Sequence, residues 1–271
     1  MYDHHEAWSG RFLPALTTRN IEALDKTNAA VVLPVCAVEQ HGPHLPVYTD
    51  TMIAEGLLQK ASAVLSADTD VWFLPPLAYG KSTEHLGHSG TMTLTAETLQ
   101  HVVMDLARSV KESGFSRLIL FNSHGGNNDL LNMMGREIRI DTGLDVFRVN
   151  AMDGRAALEG LISEDELRLG IHGGEVETSL ILALESRWVD MEKAPSETYT
   201  PHAVIDIKGS PAAAWTADDL TACGTSGDAA RATKETGGII LERLGGELAG
   251  VFAEMSTFHV KQTKPKEEAL S

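Results

Sequence analysis

AAVVLPVCAVEQHGPHLPVYTD, residues 29–50, joins an unbroken apolar run to a loop crowded with acids and histidines. The run, residues 29–38, is rich in valine and carries no polar side chain, so it predicts a strand covered on both faces, as in a parallel sheet. The loop that follows offers Glu39, His41, His44 and Asp50, stiffened by a glycine and two prolines. From Asp50 to Leu65 the apolar spacing turns helical. Strand, loop and helix in this order are the opening of a βαβ unit.

The same alternation continues along the chain. VWFLPPL, residues 71–77, predicts a short strand stopped by its prolines, and Ala96 to Ser113 a helix that ends before Gly114. RLILF, residues 117–121, predicts a second buried strand, Asn127 to Ile140 a helix, and DVFRVN, residues 145–150, a further strand. Glu175 to Leu184 reads as a helix, and Asp228 to Met255 as a long one broken or capped near its glycines. The fold class is α/β: a layered βαβ domain with a central, mostly parallel sheet flanked by helices. No linker or internal repeat divides residues 1–271, which are therefore read as one domain. Glu192 to Thr225, rich in Ala, Pro and Thr, has the weakest pattern, and the tail from about residue 262 is expected to fray.

Composition excludes several functions. The formal net charge of −16 repels phosphate backbones and anionic lipid, which argues against nucleic-acid or membrane partners. No apolar run approaches the roughly 20 residues that span a bilayer. MYDHHEAWSGRF lacks the basic start and apolar stretch of a signal peptide, so a cytoplasmic location is expected. Two cysteines give no disulfide framework, and Cys36 lies in an apolar run as a core residue.

Six of the eleven histidines, His41, His44, His85, His88, His124 and His172, fall in four short segments beside glycines and acids. Those segments follow predicted strands or open predicted helices, and in an open α/β sheet such carboxyl-end loops meet in one crevice. In the first, mixed carboxylates and imidazoles suit a divalent metal, with Zn²⁺ the first choice and Mn²⁺ or Fe²⁺ the alternatives. Asp50 has a blander reading as the cap of the helix after it. GKSTEHLGHSGTMTL, residues 80–94, adds Glu84, His85 and His88, which could bind metal, contact substrate or support ligands, and Ser82, which could bond a substrate carbonyl. FNSHGGNND, residues 121–129, delivers His124 from a buried strand, and Gly125 and Gly126 permit close approach of a substrate. In IHGGEVETSLILAL, residues 171–184, Glu175 is read as complementing the helix dipole, while His172 and Glu177 are assigned to function.

With VEQHGPHLP, the Asp50 that follows, GKSTEH, NSHGGN and HGGEVETS in this order, the chain resembles the creatininase family of metal-dependent amidohydrolases. The resemblance spans about Val38 to Leu184. It implies a two-metal site in which Glu39 and His124 bind one ion, His41 the other, and Asp50 bridges both. It implies His172 as a proton shuttle and a homo-oligomer, often a hexamer in the family. Where creatininases carry a metal-binding glutamate two residues after the His124 position, this chain has Gly126, so Glu177 or water must complete that shell. HSGT replaces a common FPGT, which reshapes the pocket.

The expected reaction is therefore hydrolysis of a small, cyclic amide or another C–N bond, with metal-activated water attacking a carbonyl and His172 passing a proton to the departing nitrogen. The alternatives are C–C cleavage of a sugar-derived cyclic ketone, deformylation or peptide processing, or a metal-binding or sensor protein without turnover. The expected site comprises His172 and Glu177 as catalytic residues, Ser82, Glu84, His85, Gly125 and Gly126 around a small-molecule substrate, and Glu39, His41, Asp50, His124 and Glu177 on two divalent ions.

Overall fold

A computed structural model describes residues 10–202, 204–208 and 210–260. The expected frayed tail lies outside the described residues. After a first helix, α1 (Thr18–Ala23), come strand β1 (Ala30–Val35), helix α2 (Thr49–Val64) and strand β2 (Val71–Phe73). Helix α3 (Ala96–Glu112) leads to β3 (Arg117–Asn122), α4 (Asn128–Thr142) and β4 (Asp145–Asn150). Short helices α5 (Arg155–Leu158) and α6 (Glu164–Leu169) precede α7 (Glu175–Glu185). A two-residue pairing of β5 (Ser196–Glu197) with β6 (Gly227–Asp228) comes before the long α8 (Lys234–Thr257).

The main sheet has the order β2-β1-β3-β4, and every pairing in it is parallel. Its strands are apolar because helices cover both faces. Ala30, Val32, Ile119 and Phe121 face a core built with α2, α7 and α8. Val31, Leu33, Val35, Leu118 and Leu120 face another built with α3 and α4. The period-2 alternation of a strand thus divides one apolar run between two cores. Pro34 sits inside β1 and lacks an N–H to donate. Its carbonyl accepts from Leu77 N–H, on the side where β2 has already ended at Phe73 and the chain turns through Pro75 and Pro76.

The chain leaves β1 toward β2, then crosses back over to β3 on the other side of β1. The carboxyl ends of β1 and β3 therefore flank the switch point of the sheet, where the loops diverge and open a crevice.

The long C-terminal helix differs from expectation. It begins at Lys234, capped by the Thr233 hydroxyl, and runs to Thr257 without a break at its glycines. Close packing is the reason: a Cβ on Gly237 would lie 1.8 Å from the Ser179 carbonyl oxygen of α7, and one on Gly245 2.4 Å from Lys60 Cβ of α2. Glycine lets three helix backbones approach at the cost of about 1 kcal/mol of helix propensity each. Gly237→Ala should therefore destabilise by about 1–3 kcal/mol through overpacking. Gly238→Ala, with nothing within 4 Å of its Cβ, should stabilise by about 0.5–1 kcal/mol. Paired thermal melts of the two variants read the opposite signs, and equal shifts would refute the close-packing account.

Candidate metal centre

Residues 36–48 emerge from β1, fold across the switch point and enter α2. Gly42 makes the turn possible: its φ is +75°, and a Cβ there would meet Thr225 Cγ2 at 2.7 Å. Glu39 and His41 are fully buried on this loop, and Asp50 is buried in the first turn of α2. Asp50 does not cap the helix, whose N-cap is Tyr48 without a side-chain bond. Its carboxylate turns inward instead.

His124 arrives from the end of β3 and His172 from the loop before α7. Glu39 Oε1 lies 3.1 Å from His124 Nδ1 and 3.6 Å from His172 Nδ1. Asp50 stands between two imidazoles, Oδ2 at 4.0 Å from His124 Nδ1 and Oδ1 at 3.7 Å from His41 Nε2. Glu177 Oε1 is 4.0 Å from His41 Nε2. Among the described residues, both Glu39 oxygens, His41 Nε2 and Asp50 Oδ2 are buried without a hydrogen-bond partner. Buried polar atoms left unpaired are costly. Donor atoms about 2 Å from a shared cation stand about 3–4 Å from one another, which is the spacing seen. Three overlapping groups are each able to hold a divalent ion: Glu39, Asp50 and His124; His41, His172 and Glu177; and Glu39, His85 and His172. The donors fit such ions by chemistry and by their orphaned atoms.

Hydrogen bonds fix which nitrogen each histidine presents. His41 Nδ1 is 3.1 Å from the Glu39 carbonyl, which can only accept, so Nε2 is the free nitrogen facing Asp50 and Glu177. His172 Nε2 is 2.6 Å from the Gln40 carbonyl, leaving Nδ1 toward Glu39. A two-way backbone bridge to Ser226 holds His172 in place. Glu177 has two duties: Oε2 accepts the Gly173 N–H at 2.6 Å while Oε1 faces His41.

The electrostatics follow from crowding charge in a buried pocket. Burial opposes charge on His124, but Glu39 and Glu84 outweigh it and raise its pKa well above the ordinary value. Burial likewise opposes charge on His41, and Asp50, Glu177 and Glu39 overcome it. Glu39 is held below the usual carboxylate range by His124, against its burial. Asp50 is pushed up by burial and by the charge of Glu39. His172 is driven well down by burial and by His41, and so stays neutral. Without a cation the cluster binds protons in its place, and a metal must displace them.

The remaining candidates separate. Glu84 and His85 lie on a 3₁₀ turn, Thr83–His85, with Glu84 Oε1 3.3 Å from His124 Nε2 and His85 Nε2 3.4 Å from Glu39 Oε1. Ser82 is fully buried beneath them, its Oγ 3.4 Å from His124 Nε2. Gly125 and Gly126 line the cavity. His88 turns away to Asp218 at 3.0 Å, and His44 Nε2 turns to the Thr178 hydroxyl at 2.9 Å, so neither joins the cluster. Glu175 is buried at the start of α7 with Arg231 at 3.8 Å, apart from the donor groups.

The cavity over the donors has a volume of about 400 Å³. Its wall includes Ala213, Ala214 and Trp215, from the stretch with the weakest sequence pattern. Sequence reasoning does not single out these residues or Gln40. A lone tryptophan in a segment without apolar periodicity was the available signal for Trp215. Gln40 offers no such signal, because its role depends on its backbone carbonyl and on a side chain aimed sideways. No helix among the described residues is long and apolar enough to cross a membrane.

A parallel sheet with a carboxylate–imidazole cluster at its switch point defines an α/β enzyme of the metal-binding kind. The family model Creatininase, described as creatinine amidohydrolase, matches residues 14–252, and the chain belongs to that family of hydrolases. It is 31% identical over 251 residues to a creatinine amidohydrolase of Pseudomonas putida, covering 85% of this chain and 92% of that one. It is 30% identical over 198 residues to a mycofactocin precursor peptide peptidase of Mycobacterium ulcerans, covering 71% and 73%. A solved structure of a mutant creatininase of Zn-Zn type superposes with a TM-score of 0.70 at 26% identity, covering 91% of this chain and 98% of that one.

His44 gives this region an acid-sensitive element. Burial, with the charge of His41, pushes its pKa down to about 4. An unfolded histidine takes up its proton near 6.5, so between about 4 and 6.5 the unfolded chain binds more protons than the folded one. Stability should rise with pH across that window and gain nothing more from His44 above it. His44→Gln should flatten the dependence of melting temperature on pH there. An unchanged slope would show that His44 is not the group responsible.

Proposed function

We propose that this creatininase-family hydrolase cleaves the C–N bond of a small amide held over a pair of divalent ions. The observation that carries the reading is the set of buried, unpartnered donor atoms on Glu39, His41 and Asp50, in a cluster whose Asp50, His124, His172 and Glu177 line one cavity. Glu39, Asp50 and His124 would hold one ion; His41 and Glu177 would hold the other, with Asp50 shared between them. Glu177 thereby takes the place of the carboxylate absent at Gly126. Zn²⁺ suits this mixture of oxygen and nitrogen donors, and Mn²⁺ suits its carboxylates. Ions bound there would lower the pKa of a water and polarise a carbonyl.

The chain's own residues supply orientation and proton transfer. His172, neutral and tethered through Nε2–H to the Gln40 carbonyl, has Nδ1 free on the donor side of the cavity. That nitrogen can take a proton from the attacking water and return it to the departing nitrogen, which an amide needs in order to leave as an amine. Trp215 and its alanine neighbours give the cavity an apolar part of its wall, against which a substrate would pack. A volume of about 400 Å³ is at the small end of ligand sites and suits a compact amide or the end of a short peptide. The two relatives act, by their names, on creatinine and on a precursor peptide, which supports amide cleavage as the shared chemistry.

Elemental analysis of the metal-reconstituted protein should find close to two ions per chain. Asp50→Ala should lose bound metal and activity together. His172→Ala should keep its metal while kcat falls by about 10²–10⁴-fold. The variants are assayed on creatinine, N-formyl amino acids and short peptides. A wild-type chain that takes up no metal would sink the proposal, and a single ion would rule out Glu177 as the replacement ligand.

A further inference from the structure

We infer that Glu84 and His85 are positioning residues that together fix the two ligands Glu39 and His124, rather than contacts for substrate. The inference rests on the reading of Glu39 and His124 as ligands of one ion. It arises from three features of the 3₁₀ turn Thr83–His85 and its surroundings.

The first is the environment of His124 Nε2. It lies 3.1 Å from the Lys81 carbonyl oxygen and 3.3 Å from Glu84 Oε1. A carbonyl can only accept a hydrogen bond, so Nε2 carries the proton and Nδ1 is left for a metal. The Glu84 carboxylate adds negative charge at that N–H, which makes the ligating nitrogen a stronger donor to a cation. Lys81 Nζ, 3.1 Å from Glu84 Oε2, holds the carboxylate in place from its other oxygen.

The second is the environment of His85. The side-chain amide of Gln40 is oriented by two backbone groups: its Oε1 accepts the Gly42 N–H at 2.8 Å, and its Nε2 donates to the Gly224 carbonyl at 2.8 Å. The same nitrogen is 3.0 Å from His85 Nδ1 and has only protons to offer. His85 Nδ1 must therefore accept, and its Nε2 bears the proton, with Glu39 Oε1 3.4 Å away in a charge contact rather than a hydrogen bond. With both nitrogens committed, His85 has no lone pair for a metal, although it stands within reach of one. It steadies the carboxylate instead.

The third is Gly126. A Cβ there would stand 1.9 Å from Glu84 Oε1, 2.5 Å from His124 Nε2 and 2.7 Å from the Lys81 carbonyl oxygen. A carboxylate tip can swing aside, but the backbone carbonyl cannot. The volume that a side chain at 126 would need is occupied by the groups that orient His124. The Gly126 departure and the Glu84 clamp are thus two sides of one arrangement.

The test is competition of the wild type and variants against a chromophoric chelator for Zn²⁺. Glu84→Ala and His85→Phe should each weaken binding of one of the two ions by about 10–100-fold and leave the other unchanged. Glu84→Gln, which preserves shape and removes charge, should fall between wild type and Glu84→Ala. At saturating metal, KM for any cleaved amide should stay within about twofold of wild type in all three, whereas loss of a substrate contact would raise it. Melting of the metal-free proteins separates loss of fold from loss of ligand support, and the isosteric Glu84→Gln keeps the comparison available if Glu84→Ala does not fold. Unchanged affinities in Glu84→Ala and His85→Phe, or a raised KM with normal metal binding, would overturn the inference. A wild-type chain that binds no metal would overturn the ligand reading beneath it, and this one with it.

Discussion

Three carboxylates and three imidazoles crowd together, all buried except the partly exposed Glu177, and several of their donor atoms have no hydrogen bond. Negative charge brought together in a low-dielectric space repels strongly, and burial penalises each charge separately. Something positive has to sit among these groups, whether protons or metal ions. The opposite pKa directions of neighbouring groups, with His124 raised and His172 lowered, are what such a pocket does when only protons are available. The surrounding architecture can be understood as the means of holding this unfavourable cluster together.

The sheet provides the location. Because the chain reverses direction across the sheet at β1 and β3, the loops after these strands part and leave space between them. Glu39 and His41 come from one loop and His124 from the other, while α2 contributes Asp50 from its first turn and α7 contributes Glu177. Both helix starts present partial positive charge, which favours a carboxylate at that point. Gln40 links the arrangement: its carbonyl tethers His172 and its amide sets the protonation of His85. Removing any one of these supports leaves the remaining buried charges worse compensated.

Much of the scaffold is legible in the sequence because burial on both faces writes itself as unbroken apolar runs. β1, β3 and β4 and the helices between them fall within a few residues of the predicted spans. The loops were legible as a meeting place but not in detail. Composition says that His41, His44 and His88 share glycine-rich segments; it does not say that His44 points to Thr178 and His88 to Asp218. Direction within a loop is set by partners far away in the chain. The continuity of α8 was hidden for a similar reason, since the glycines that look like interruptions answer to Ser179 and Lys60, which the local sequence does not contain. Ala213 to Trp215 line the cavity from a stretch with almost no regular structure, where periodicity has nothing to report.

That last feature separates two tasks. The groups on the cavity floor are gripped by strands, helix starts and mutual hydrogen bonds, so a change in one disturbs the others. The part of the wall at Ala213 to Trp215 hangs on a connection between β5 and β6, and among the described residues its hydrogen bonds run to Asp206 and Ile207 rather than to the donors. Replacements or insertions there can resize the chamber while the carboxylate–imidazole cluster is left alone. The size of the chamber is thereby set by an irregular strap, and the placement of the buried charges by the regular elements beneath it.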